Sequence, residues 1–134
     1  MNSSRGVRCL RQAITVAEFT DGGATAGTLA LTAKIPAGAY VLACNCSSLT
    51  GFAGDVSAAV IVGDGTDTDR YNTGTPDWFT TAALGLDMGV PSGVKYHAVA
   101  TTVTVTVTTN ADFTTCKTNG AGAATVEIFY VIGL

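Results

Sequence analysis

The sequence predicts an all-β fold: a single-domain antiparallel β-sandwich or jelly roll with very little helix. Three observations carry that expectation. From Val99 to Thr108 valine and threonine nearly alternate, and a period of two in β-branched residues belongs on a pleated strand. Glycine, alanine and threonine are abundant while the strong helix formers Glu, Lys and Gln are scarce. Seven or eight short apolar or alternating segments are separated by glycine-containing turns, the pattern of a sandwich or jelly roll.

The elements follow in order. Residues 1–12 read as a polar N-terminal arm that docks on a neighbour or on its own domain, and residues 13–134 as the sandwich. A first strand is expected over Ala13 to Phe19, closed by the turn Thr20–Gly23. Thr28 to Ile35 alternates, with Leu29, Leu31 and Ile35 on one face. Pro36-Ala-Gly38 breaks it, and Tyr40 to Cys46 resumes, with Cys44 and Cys46 on the face of Tyr40 and Leu42. Ser47 to Gly54 reads as a loop. Val56 to Val62 is almost wholly apolar, as in a central strand buried on both faces. Gly63 to Arg70 is a turn. Asn72 to Gly93 has no clear period; Trp78, Phe79, Leu84, Leu86 and Met88 either line a loop over an open end of the sheets or carry a short helical turn.

The valine–threonine strand comes next, with Val99, Val103, Val105 and Val107 toward a core and Thr102, Thr104, Thr106 and Thr108 outward. So long and uncharged a strand would template pairing with other chains if its edge were open, so it should be central or covered. Ala111 to Gly122 reads as a hairpin loop, and Thr125 to Ile132 as a last strand with Val126, Ile128, Tyr130 and Ile132 on one face.

Composition narrows function. Charged residues are 13% of the 134, against about 25% in an ordinary soluble domain, so much of the surface is expected to be covered in an assembly. A net charge of −3 opposes nucleic acid, whose phosphates must be met by Lys and Arg. No stretch is long and apolar enough to span a bilayer, and the start lacks the apolar run of a signal peptide. A chain made in a reducing cytoplasm keeps thiols free, so Cys9, Cys44, Cys46 and Cys116 are expected unpaired. They lack the pairwise spacing of a zinc site.

Candidate chemistry is sparse. Asp64, Asp67 and Asp69 on one turn could offer oxygens to calcium, but their spacing is not that of an EF-hand and Arg70 is an internal counter-charge; Asp side chains capping the turn's own N–H groups account for them better. His97 is the one histidine, and a structural hydrogen bond at the mouth of the long strand suits it better than a triad. Trp78 and Phe79 could stack on a sugar, though such a pair more often plugs a core. The residues predict neither an enzyme nor a cofactor.

The segment Ile35-Pro-Ala-Gly-Ala-Tyr-Val-Leu42, continuing through Thr50-Gly-Phe-Ala-Gly54 to Val62-Gly-Asp-Gly-Thr-Asp-Thr-Asp-Arg-Tyr71, resembles small virion proteins of tailed bacteriophages. The resemblance implies a β-sandwich structural protein of the particle and a structural Gly63–Tyr71 turn. With the low charge, it leads to the expectation of a capsid decoration (cement) protein on the head surface. Such a protein would be made in the host cytoplasm and work as a homo-oligomer that touches the major capsid protein or other virion proteins. Arg5, Arg8, Arg11, Trp78 and Phe79 are the expected contact residues. A neck, tail or fibre component is the alternative within that class. A carbohydrate-binding module using Trp78, Tyr71 and Asp69 is the alternative outside it, and an enzyme using His97 a third.

Overall fold

The computed structural model describes residues 6–79, 86–88, 90–92 and 95–133. Arg5 and Leu84, among the residues singled out above, lie outside them. Two antiparallel sheets face each other. The first contains β1 (Arg8–Thr15), β4 (Ala39–Thr50), β6 (Leu86–Asp87), β7 (Tyr96–His97) and β9 (Ala123–Ile132), in the order β1-β9-β4, with β6 and β7 both pairing with β4. The second contains β2 (Thr20–Asp21), β3 (Ala26–Ile35), β5 (Ala58–Gly63) and β8 (Thr101–Thr109), in the order β2-β3-β8-β5.

Beyond β5 the described residues add an antiparallel bridge between Ala59 and Asp77. Count β1, β3, β4, β5, the Asp77 bridge, β6 with β7, β8 and β9 as positions one to eight. The sheets then run first-eighth-third-sixth and second-seventh-fourth-fifth, which is the strand order of a jelly roll. The sequence-predicted sandwich is therefore present, and its topology is the jelly-roll form.

Alternation builds the core. Val103, Val105 and Val107 of β8 are fully buried between the sheets, and β8 lies between β3 and β5, so the strand whose exposure would be hazardous is central. Val99 is an exception: it precedes the strand and is exposed. One end of the core is an aromatic column, with Trp78 5.3 Å from Phe52, Phe52 5.6 Å from Phe19 and Phe19 5.8 Å from Phe113, all inside the range where ring pairs attract.

Several local expectations are corrected. The first strand begins at Arg8, so residues 8–12 of the expected arm belong to the sheet; β1 pairs with β9 without interruption from Arg8 to Thr15. It ends in a single 3-10 turn at Val16–Glu18, where the Glu18 carboxylate accepts from the Thr15 N–H at 3.0 Å. Cys44 and Cys46 are buried but share their face with Val41; Leu42 is exposed, because a register shift between Val41 and Ala43 turns the strand over. An extra residue in one strand flips every side chain beyond it. β4 also continues through the expected loop to Thr50.

β5 is an edge strand instead of a central one, but its outer edge is occupied. Val60 N–H donates to Pro76 O, Trp78 N–H to Ala58 O, Tyr71 N–H to Val62 O, and the buried Asn72 side chain accepts from Val62 N–H. The expected Ala111–Gly122 hairpin loop holds α1 (Phe113–Asn119), and its flanking strands lie in different sheets. Asp112 caps the helix, accepting from Thr114 N–H at 2.9 Å, and Gly120 ends it in the left-handed region at φ 74°. Phe113 packs onto Gly27 of β3, where any Cβ would lie 2.3 Å from the ring.

Candidate interaction surfaces

The two clusters with chemical potential are both engaged internally. In the turn after β5, Asp64 Oδ1 accepts from the N–H groups of Thr66 and Asp67, both at 2.8 Å, and Oδ2 from Arg70 Nε at 2.6 Å. Burial opposes the charge of Asp64, but these donors and the guanidinium outweigh it and hold the carboxyl below its ordinary range. Asp64 thus serves the turn, and Asp69 is exposed beside it. Gly63 is required here, since a Cβ would sit 2.1 Å from Asp67 O.

The Tyr71 hydroxyl lies 3.2 Å from His97 Nε2, and Thr101 Oγ1 lies 3.4 Å from Nδ1. Thr101 Oγ1 donates to Val99 O at 2.9 Å, so it accepts from Nδ1–H, and Nε2 accepts from the tyrosine. The network is complete with a neutral ring. Burial and then the Arg70 charge lower the His97 pKa, with Asp64 opposing. Tyr71, wholly buried, is shifted upward by the same burial. His97 joins the loop after β5 to the β7–β8 corner, as a structural histidine would.

The expected contact residues fare unequally. Trp78 has no exposed surface; it is a core residue, which removes it from contact with a partner or a sugar in this fold. Phe79 is half-buried against the core. Arg8 is exposed at the start of β1. Arg11 spans to Glu127 of β9, Nη2 to Oε2 at 2.5 Å, and the other Glu127 oxygen accepts from Asn45 Nδ2 at 2.8 Å. Glu127 is 5% exposed. The sequence reasoning missed it, although a lone acid in the apolar run Ala123–Ile132 was the available signal.

Cys44 and Cys46 are pushed up to about 12 by burial and then by neighbouring negative charge, so both are inert packing groups. All four cysteines are free, and Cys9 is the exposed one.

What the fold presents outward is therefore two sheet faces and an edge. On the second sheet, cross-strand rows Thr28–Thr106–Ile61, Ala30–Thr104–Gly63 and Ala26–Thr108–Ala59 form a small-residue, threonine-rich face in which Lys34 is the single strand charge. On the first, the rows Cys9–Phe129–Ala43, Arg11–Glu127–Asn45 and Ala13–Thr125–Ser47 cross β1, β9 and β4. β1 is the terminal strand of its sheet among the described residues, and its Gln12 side chain reaches to the other sheet, accepting from the Thr32 N–H of β3 at 2.8 Å.

This arrangement defines the class: a small two-sheet jelly roll whose Asp64 and His97 clusters serve its own loops. No protein-family model matches the chain, and no curated protein matches it. Among solved structures, it is similar to a chain of the Cyanophage Pam1 capsid asymmetric unit, with a TM-score of 0.58 at 18% identity, over 99% of this chain and 89% of that one. The likeness establishes a shared fold across nearly the whole of both chains.

Proposed function

We propose that the chain is a structural protein of a bacteriophage virion, and within that class a decoration (cement) protein bound to the outside of the head. The observation that carries this reading is the full-length likeness of fold to a chain of a phage capsid asymmetric unit. The surface supports it. The threonine-rich face and the first sheet's outer face are poor in charge, as interface cores are, and the β1 edge offers unpaired backbone groups to an extended segment of a neighbour. The partner would be the major capsid protein or another virion protein, met by a homo-oligomer of this chain, with Arg8, Arg5 and Phe79 as contact residues. Binding only to the assembled shell stabilises it by mass action. The reading assigns no catalysis and no cofactor.

The test is to add the purified chain to phage heads lacking it. Saturable co-sedimentation with a raised head melting temperature is expected. A chain that stays in the supernatant, or joins only tails, contradicts the cement role, the second result moving it to a neck, tail or fibre position.

A further inference from the structure

We propose that the outer face of the first sheet is the surface through which two copies of this chain pack together. The inference rests on reading the chain as an oligomeric virion component and names the contact. The β1–β9–β4 register sets out the face in rows. Val131 lies beside Tyr40, which pairs with Tyr96 of β7; next come Cys9, Phe129 and Ala43, then Arg11, Glu127 and Asn45, then Ala13, Thr125 and Ser47. Phe129 alternates with the buried Val126 and Ile128 and so points away from the core. Leu42, turned outward by the bulge, and Tyr96 are 42% and 52% exposed at the same end. Half of the face is thus aromatic and aliphatic, with one Arg beside it, the composition that marks interface centres.

The occupant follows from charge and area. The ionic row is satisfied within the chain, with both Glu127 oxygens engaged by Arg11 and Asn45, so covering it strands no charge. A neutral, self-balanced face suits an identical face, not a strongly charged partner. A two-fold axis lying in the contact plane along the strands sets aromatic end on aromatic end and Arg11 of one copy over Asn45 of the other, the isologous geometry of a closed dimer. Three strands of 8, 10 and 12 residues, set about 4.8 Å apart and rising about 3.4 Å per residue, give a face of about 500 Å². Two such faces bury about 1,000 Å² together, the lower bound for a specific contact between proteins. The threonine face of the other sheet has no comparable aromatic anchors.

Leu42→Glu with Tyr96→Glu tests this by sedimentation velocity over a wide concentration range. Both residues are partly exposed, so the double variant should fold with an unchanged melting temperature. Its self-association should weaken by at least about a hundredfold, because each contact would strand an unpaired charge. Val56→Glu, 69% exposed and outside this face, should associate as the parent does. The Cys9 thiol gives a second readout that needs no substitution: its maleimide labelling should slow in the associated state. A parent chain that stays monomeric throughout, a double variant that associates normally, or Cys9 labelling independent of concentration overturns the proposal. Heads decorated by a monomeric parent chain would overturn this contact while leaving the virion reading standing.

Discussion

Trp78→Ala is the substitution that most sharply separates a core role from a binding role for this side chain. The indole is wholly buried and stands 5.3 Å from the Phe52 ring, at the head of the Phe52–Phe19–Phe113 column. Its backbone N–H also holds the edge of β5 through Ala58 O at 2.8 Å. Truncating a buried aromatic to alanine costs about 3–5 kcal/mol, transfer and cavity terms together. Domains of this kind have about 5–15 kcal/mol in all, so the loss is a large share of the total. At about 3–4 °C per kcal/mol for this chain length, the melting temperature should fall by about 10–20 °C. Trp78→Phe should cost less, since among the described residues the indole N–H has no partner to lose. Thermal melts by circular dichroism measure both. Trp78 is the one tryptophan, so its native emission should also be blue-shifted and poorly quenched by acrylamide. A Trp78→Ala chain with parental stability that has lost glycan retention would refute this account of the residue.

Other substitutions probe the remaining contacts. Gly27→Ala drives a methyl into the Phe113 ring and should destabilise by about 1–3 kcal/mol, whereas Gly65→Ala, with open space at its Cβ, should be near neutral by urea titration. Asp64→Asn removes the ion pair with Arg70 and should lower the melting temperature equally with calcium or with chelator present; a calcium-dependent difference would argue for a metal site. Stability should also fall in two acid stages. His97 has a folded pKa below its ordinary 6.5, so its contribution is complete above about pH 6.5 and declines as pH falls from there through the folded value. The carboxyls of Asp21, Asp55 and Asp64 are held below their ordinary 3.8, so theirs is complete above about pH 4 and lost below it. His97→Gln should abolish the first stage alone, as seen in melting temperature against pH.

The sequence made legible what alternation controls. The buried valines of β8 and the inward Val126 and Ile128 of β9 could be placed residue by residue because a period of two survives wherever a strand is regular. It failed where the chain departs from regularity. The bulge at Leu42 cannot be read from alternating small apolar residues, and it reversed which neighbours Cys44 and Cys46 keep. Arg8–Gln12 reads as polar because an edge strand buries only Leu10 from that stretch. Phe113–Asn119 is rich in threonine, a weak helix former; its helix depends on the Asp112 cap, the Gly120 stop and the seating of Phe113 on Gly27. The site followed the same division. The Asp64 turn was readable because Asp and Gly carry local hydrogen bonding, whereas the Arg11–Glu127–Asn45 row joins three strands distant in sequence and emerges only from their register.

The central claim, that this chain is a head-decorating virion protein, is tested most directly by quantifying it in purified phage particles separated into heads and tails. The account predicts many copies per particle, all in the head fraction and removable without opening the shell. Its absence from particles, or its recovery with tails alone, would contradict the account.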